Sequence, residues 1–257
     1  MRSNGRIIGP LNRSLSGIWN VDDQGRGGVI LPVTEALADA KTAVWEMTGG
    51  TSANEVGAGG GLTGDDQVLT QVGGAPAAAN GGRAVSSAIG FTATAAALTA
   101  LLGGPEWTLM LLLNTWQVEA SDNRYISYLS ASAAVNGEIY TSRRTPNTAG
   151  TMVAGISNGI FTGITPHRSV PPTTGDVWAA MWRKAGICHS GWLAGSLPPT
   201  SWDSFPANQR QLLIGGGDLS GCNWGTYRYV VGLPGYSGSF IIKRVVLSKI
   251  GLAAADM

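Results

Sequence analysis

Residues 106–116 read EWTLMLLLNTW, an almost continuously apolar run without two-residue alternation. A run of this kind is typical of a central β-strand that is covered on both faces. Shorter strand-like segments lie along the chain after it, at a spacing typical of a sandwich or jelly roll. The run therefore predicts an all-β protein in which residues 106–116 form a central strand.

The segments after this run predict hairpins and long strands. YISYLSAS and GEIYTSRR flank Asn136-Gly137, a dipeptide typical of a type I′ turn. VWAAMWRKAGICHSGWLAG predicts two strands folded over residues 184–186, and QRQLLIGGG predicts a short strand. In SGSFIIKRVVLSKIG, alternation predicts two opposite faces: Phe240, Ile242, Val246 and Ile250 on one, and Ile241, Val245 and Leu247 on the other.

The segments before the run mix strand and helix patterns. Residues 84–91 alternate, with Val85, Ile89 and Phe91 on one side, and residues 94–102 predict a helical turn closed by two glycines. A second helix is predicted over 33–46, with Thr34 as N-cap and Gly49-Gly50 as the stop. Its apolar face has helical spacing: Val33, Leu37, Ala40 and Val44. Whether it packs on the domain or on copies of itself stays open.

Composition supports this fold class and narrows the partners. The chain has 257 residues, 38 of them Gly, with 44% hydrophobic and only 13% charged residues. Many tight turns and few helix formers are expected from such a mixture. The net charge of +1 gives no electrostatic reason to expect nucleic acid or an anionic membrane as partner. A surface with so few charges is either rich in neutral polar groups or largely covered by neighbouring subunits, and we favour the second interpretation.

The order of strand signals in residues 84–252 resembles the concanavalin A-like (laminin G-like) lectin/glucanase superfamily. The residues that carry the resemblance are Trp107-Thr108-Leu109, the hairpin Trp178 to Gly195, Ile214-Gly215-Gly216 and the last strand, Gly238 to Leu252. It implies a concanavalin A-like jelly-roll β-sandwich over residues 83–257. The residues before it predict an extended N-terminal arm (1–30) and a segment with one short helix and a Gly/Ala-rich connection (31–82).

The first 30 residues resemble the opening of many tailed-bacteriophage structural proteins that carry such sandwiches. The resemblance rests on Ile8-Gly9-Pro10, Ser16-Gly17-Ile18-Trp19 and Asp22-Asp23-Gln24, while residues 20–22 depart from the usual pattern. It implies a virion protein of the tail fibre, spike or capsid-decoration type. A stretch with so few apolar residues cannot build its own core. We expect those residues to dock on another virion protein: Ile7, Ile8, Leu11, Ile18 and Trp19.

Catalytic and metal-binding patterns are not found. Glucanases of this fold use carboxylates on one strand with even spacing, and no Glu-x-Asp-x-x-Glu occurs here. The G-x-S-x-G match at 155–159 and the G-x-G-x-x-G match at 59–64 lack the helix that each chemistry needs. Zinc spacing is absent, while Asp65, Asp66, Asp203 or Asp218 could supply loop oxygens to a calcium ion. No enzyme activity and no cofactor are expected, and the cysteines, Cys188 and Cys222, are expected to be buried free thiols.

Aromatic residues near predicted strand ends suggest a glycan site. Sugar rings stack on exposed aromatic rings, and polar side chains bind the hydroxyls. The candidate residues are Trp192, Trp202, Asp203, Asn223, Trp224, Tyr227 and Arg228. The alternative, that these rings pack against neighbouring subunits, stays open.

These observations predict a non-enzymatic virion protein that assembles in the host cytoplasm. Its partners would be other virion proteins and further copies of itself, with a trimer as first guess, and its sandwich would either contact host-surface polysaccharide or only reinforce the shell. The alternative function is a freestanding carbohydrate-binding module or a degenerate glycan hydrolase. An unpaired docking arm and the lack of an apolar run after the basic start favour the virion protein.

Overall fold

The computed structural model describes residues 38–48, 54–86, 89–116, 125–130, 138–144, 151–157, 162–166, 175–199, 202–205, 211–213, 218–220, 224, 229–231 and 239–252. Its strands are β1 (Thr42–Glu46), β2 (Glu55–Val56), β3 (Ala58–Gly59), β4 (Val68–Val72), β5 (Ala77–Ala79), β6 (Gly82–Ser86), β7 (Gly90–Thr92), β8 (Trp107–Trp116), β9 (Tyr125–Ser130), β10 (Glu138–Arg144), β11 (Thr151–Ser157), β12 (Thr162–Pro166), β13 (Asp176–Lys184), β14 (Ile187–Ala194), β15 (Gln211–Leu213), β16 (Tyr229–Val231) and β17 (Ser239–Ser248). The helical elements are α1 (Ala95–Leu102) and two 3₁₀ turns, Gly64–Gln67 and Trp202–Ser204.

The larger sheet is antiparallel and has nine strands, with the order β15-β14-β13-β8-β17-β1-β3 and with β6 and β5 beside one end of β17. The predicted central run is β8, which pairs with β13 on one side and with β17 on the other. Its residues 107–113 are all buried. The prediction of a central strand covered on both faces is confirmed.

The main hydrophobic core lies against one face of this sheet. It joins inward residues of β8, β13 and β17 to Leu69 of β4, Phe91 of β7 and four residues of α1. β4 and β7 belong to a four-stranded sheet, β16-β7-β4-β2, and a further sheet has the order β12-β11-β10-β9. The chain is therefore an all-β sandwich with one α-helix in its described part, consistent with a jelly roll.

Local turn chemistry explains two predicted elements. β13 and β14 form a hairpin over Ala185 (φ 50°) and Gly186 (φ 77°), as expected for a turn with positive φ at both central residues. α1 begins after Thr94, whose hydroxyl accepts a hydrogen bond from Ala97 N at 3.0 Å, and ends at Gly103. Both predictions are confirmed. In the predicted YISYLSAS–GEIYTSRR hairpin the two strands pair as expected, with Glu138 opposite Ser130, while the predicted turn at Asn136-Gly137 lies outside the described residues.

The predicted helix over 33–46 is wrong where the structure describes it. Thr42–Glu46 is β1, which pairs along its whole length with β17. Its residues alternate between the two faces of the sheet, with Ala43 and Trp45 in the main core and Val44 on the other face. Backbone pairing and burial on both faces outweigh a helical spacing of only four apolar residues. The sandwich therefore begins before the predicted boundary at residue 83.

Two further strand predictions need correction. Residues 84–91 do not form one strand, because β6 pairs in the nine-stranded sheet and β7 pairs in the four-stranded one. In β17 a bulge inserts Lys243, since Ile242 lies opposite Leu113 and Arg244 opposite Leu112. An extra residue reverses the alternation. The inward residues after the bulge are therefore Val245 and Leu247, while Val246 faces outward.

A buried ion pair connects the nine-stranded sheet to the four-stranded sheet β16-β7-β4-β2 across the core. Arg83 of β6 is fully buried, and its Nη1 lies 3.6 Å from Oε1 of Glu55 on β2, which is 3% exposed. The guanidinium also lies over the Phe91 ring, with Cζ 5.7 Å from the ring centroid. Charges removed from water need such partners, since an uncompensated buried charge costs several kcal/mol.

We predict that Glu55→Ala lowers the free energy of unfolding by about 3–5 kcal/mol, because it removes the carboxylate that lies 3.6 Å from the fully buried Arg83 guanidinium. Urea denaturation of the purified chain would measure this change. The matched double variant, Glu55→Leu with Arg83→Met, should regain most of the loss. A double variant as unstable as Glu55→Ala would show that lost packing, and not the lost ion pair, causes the destabilisation.

Candidate functional site

The structure removes two residues from the predicted glycan site. Trp192 is 5% exposed and Trp224 is 2% exposed, and both rings lie in the main core. A buried ring has no free face for a sugar, so their predicted role is wrong. Asp203 is exposed, beside Trp202 in a 3₁₀ turn. The other candidates, Asn223, Tyr227 and Arg228, lie outside the described residues, as do the predicted docking residues of the arm.

Alternation along β14 explains why Trp192 points inward. Cys188 and Trp192 are four residues apart in one strand, so they share a face, and both lie in the main core. The sequence already predicted that Cys188 is buried. The same reasoning would have placed Trp192 beside it.

The structure instead brings together four polar side chains that no sequence motif links. We call them the polar row: Asn80, Asn114, Asp176 and Lys243. Asn114 Nδ2 donates to Asp176 Oδ1 at 2.8 Å, and Asn80 Nδ2 donates to Asn114 Oδ1 at 3.3 Å. Lys243 Nζ donates to both oxygens of Asp176, at 3.1 and 3.0 Å. The Asp176 and Lys243 side chains are 18% and 25% exposed, so solvent reaches both.

Three features of the backbone position the polar row. Asp176 and Asn114 lie directly opposite each other on β13 and β8. Lys243 is the extra residue of the β17 bulge. Asn80 and Gly81 have φ values of 46° and 75° and join β5 to β6, which is the turn that an Asn-Gly dipeptide favours. This dipeptide is the sequence signal that could have located one end of the row.

A second polar group lies next to the row on the same face of the sheet. Arg244 Nε donates to Glu46 Oε1 at 2.5 Å, and its Cζ lies 5.7 Å from the centroid of the Trp178 ring. Trp178 Nε1 donates to the carbonyl of Ser196 at 3.0 Å. The guanidinium is thus held in place by a carboxylate and an indole.

Seven of the described carboxylates hold the fold together. Glu55 and Glu46 pair with arginines, and Asp176 pairs with Lys243. Glu106 accepts hydrogen bonds from the amides of Ala185 and Gly251. The other contacts are those of Asp39 with the Lys41 and Thr42 amides, Asp66 with the Thr94 hydroxyl, and Asp218 with the Ser220 amide.

Glycoside hydrolysis usually requires two carboxyl groups that face each other across a bound sugar. None of the contacts above joins two carboxylates. The polar row therefore offers hydrogen-bond donors and acceptors for hydroxyl groups, and its one carboxylate is engaged by an ammonium and an amide.

The four aspartates considered for calcium do not gather in the described structure. Asp65 and Asp66 lie in the 3₁₀ turn Gly64–Gln67, where Asp66 binds Thr94, and Asp203 lies in the other 3₁₀ turn. Hydrogen bonds from Ser220 lower the pKa of Asp218. Within the ranges that the structure describes, no three His, Cys, Asp or Glu residues lie close enough to hold a metal ion. Nor does any described helix have the length and hydropathy to cross a bilayer.

Comparison with known proteins identifies the fold but no family. No protein-family model and no curated protein matches the chain. A solved structure on the cell entry of botulinum neurotoxin type C, which depends on interaction with two ganglioside molecules, has a TM-score of 0.53 at 8% identity, over 84% of this chain and 49% of that one. The crystal structure of HCR/D-Sa-GBL1/C has a TM-score of 0.52 at 7% identity, over 88% and 51%. The chain spans about half the length of these two proteins.

A third similar structure is domain 4 of AbnA, an extracellular GH43 arabinanase from Geobacillus stearothermophilus, in complex with arabinotriose. Its TM-score is 0.45 at 13% identity, over 84% of this chain and 96% of that one. The first two likenesses establish a shared β-sandwich fold. At these identities they establish nothing about the residues of a site.

Cys188 is a buried, reduced thiol, as predicted, while Cys222 lies outside the described residues. Burial raises the pKa of Cys188 from 9.0 to about 11. Only the thiolate is a strong nucleophile, so a buried thiol of raised pKa should resist alkylation.

We predict that iodoacetamide at pH 8 alkylates Cys188 at least about 100-fold more slowly in the folded chain than in urea, because folding both buries the sulfur and suppresses its thiolate. Peptide mass spectrometry would measure both rates. The control is Ala100→Cys, which introduces a thiol at an exposed position of α1. If Cys188 reacted as fast as this introduced thiol in the folded chain, its burial would be contradicted.

Proposed function

We propose that this chain is a non-enzymatic structural protein of a tailed-bacteriophage virion, displayed on the particle surface, and that its polar row contacts host-surface glycan. The proposal rests on the observation that seven of the described carboxylates bind partners within the fold. Each of the seven above has a partner that holds the fold, and one of them, Asp176, organises a solvent-accessible set of donors and acceptors. That chemistry suits binding to hydroxyl groups better than proton transfer to a glycosidic oxygen.

The virion part of the proposal is supported by the resemblance of residues 1–30 to the opening of tailed-phage structural proteins. Its direct test is location. Gold-labelled antibodies raised against residues 38–252 should bind intact purified particles in negative-stain images, at a position fixed relative to head and tail. Label found only on free protein in the lysate would overturn the virion assignment.

The second candidate is a freestanding carbohydrate-binding module or a degenerate glycan hydrolase. It is favoured by the β-sandwich fold that the chain shares with a neurotoxin whose cell entry depends on gangliosides. This candidate could use the same polar row, so only the location of the protein separates the two.

The polar row has pre-formed hydrogen bonds, so its side chains need little reordering when a sugar binds. Asp176 accepts three of the hydrogen bonds described above, and a carboxylate has about four acceptor sites. A single site of this kind would bind a sugar weakly, and many copies on one particle would supply useful attachment through effective concentration.

We predict that Asp176→Asn weakens binding of the particle, or of multivalently immobilised protein, to purified host polysaccharide by about 10-fold or more, since a hydrogen bond to a charged group contributes about 1.5–3 kcal/mol and 1.4 kcal/mol corresponds to a factor of ten. Asp203→Asn is the matched control, because Asp203 is an exposed aspartate of the loop site first predicted. The Asp176→Asn variant should stay folded, because a partly exposed ion pair such as Asp176–Lys243 contributes about 1 kcal/mol or less to stability.

Surface-immobilised binding assays and thermal melting of both variants would test this. If only Asp203→Asn bound more weakly, the glycan site would lie at the loop that contains Asp203 and not at the polar row. If both variants bound as strongly as the unchanged protein, the polar row would not be the glycan site. The virion assignment would not be affected by that result.

A further inference from the structure

The polar row keeps hydrogen-bonding groups that no described contact uses. The ammonium of Lys243 has three donors, and its hydrogen bonds within the described structure go to the two oxygens of Asp176, at 3.1 and 3.0 Å. In the amide of Asn80, one N–H binds Asn114 Oδ1, while Oδ1 of Asn80 has no partner among the described residues. Asn80 is exposed and the Lys243 side chain is partly exposed, so a ligand can reach both groups.

The turn between β5 and β6 places these two groups next to each other. Asn80 and Gly81 are its two residues with positive φ. A Cβ added at Gly81 would lie 3.6 Å from Lys243 Cε and 4.0 Å from Lys243 Nζ, and a Cβ added at Gly82 would lie 3.0 Å from Lys243 Cγ. The lysine side chain therefore runs along the turn, and its ammonium ends beside the residue that follows Asn80.

An open donor beside an open acceptor matches two adjacent hydroxyl groups. A hydroxyl group can both donate and accept a hydrogen bond. One hydroxyl of a vicinal diol can therefore accept from Lys243 Nζ while its neighbour donates to Asn80 Oδ1. A sugar ring with two adjacent free hydroxyls presents this pattern, whereas a ring that has lost one of them does not.

The charges around the row are compensated, which disfavours an anionic sugar. Lys243 pairs with Asp176, and the neighbouring Arg244 pairs with Glu46, so the formal charge of each pair is zero. An anion that accepted from the open donor of Lys243 would lie close to the Asp176 carboxylate, because Oδ2 of Asp176 is 3.0 Å from the same Nζ. Like charges placed side by side suppress binding of the wrong partner. A neutral ligand avoids this repulsion.

We propose that the polar row recognises a neutral glycan through a vicinal diol, with Lys243 Nζ as donor and Asn80 Oδ1 as acceptor. Asp176 holds the ammonium in position and offers its remaining acceptor site to a further hydroxyl. This inference rests on the glycan contact proposed above and names the class of sugar that makes it. It holds equally for a virion protein and for a freestanding carbohydrate-binding module.

The test uses the full chain, coupled in many copies to beads, and polysaccharides of known structure. Mannan, dextran and galactan are neutral and carry vicinal diols, whereas alginate carries vicinal diols together with carboxylates. Periodate oxidation followed by borohydride reduction cleaves the diols and leaves a neutral chain. We expect at least one neutral polysaccharide to bind, about 10-fold weaker binding or less after periodate treatment, and alginate binding that is weaker by a similar factor.

Two variants connect this result to the row. Lys243→Met removes the open donor and should weaken binding of the neutral polysaccharide by about 10-fold or more. Asn80→Gly removes the open acceptor but tolerates the positive φ of the turn, and it should weaken binding by about 5-fold. The control, Lys249→Met, removes an exposed lysine just after β17 and should bind as the unchanged chain does. Thermal melting checks the folding of each variant, and Asn80→Gly keeps the test valid if Lys243→Met does not fold.

The outcomes separate this inference from the proposed function. Alginate binding as strong as that of the neutral polysaccharides, or neutral binding that survives periodate treatment, would overturn the inference and leave a glycan contact in place. Unchanged binding by both row variants would also overturn it. If none of the polysaccharides bound, the inference and the glycan part of the proposed function would both fail.

Discussion

β8 pairs with β13 along one edge and with β17 along the other, and its residues from Trp107 to Leu113 are at most 4% exposed. Such a strand cannot exist without a layer on each side, because its backbone and both sets of side chains are removed from water. The main core, with α1 and the four-stranded sheet, provides one layer. The opposite face of the sheet, which holds Val44, Met110 and Val246, is buried as well.

Sequence patterns predict the observed structure correctly where a local signal and the tertiary environment agree. The apolar run of β8, the hairpin at Ala185-Gly186 and the capped helix after Thr94 are of this kind. Sequence patterns mispredict the structure where the pairing of distant strands determines the conformation. Residues 42–46 have helical spacing but are held by β17, and the bulge at Lys243 reverses the faces of β17 without a sequence signal strong enough to predict it.

The candidate site shows the same division. Exposed aromatic rings were expected from their positions near strand ends, but Trp192 shares its face with buried Cys188, and Trp224 lies in the main core. The polar row consists of residues far apart in sequence, and it is assembled by strand pairing, a bulge and one tight turn. Only the Asn80-Gly81 turn could have been identified from sequence alone, and its contact with Asn114 depends on the sheet order.

Native-state hydrogen exchange, resolved by peptide mass spectrometry, tests most directly whether β8 is the doubly covered centre of the fold. The amides of Leu109–Leu113 should exchange only through global unfolding, with an opening free energy equal to the free energy of unfolding measured with denaturant. The short strands Glu55–Val56 and Ala58–Gly59 should exchange through smaller local openings. If Leu109–Leu113 exchanged as fast as those short strands, the description of β8 as a strand buried on both faces would be wrong.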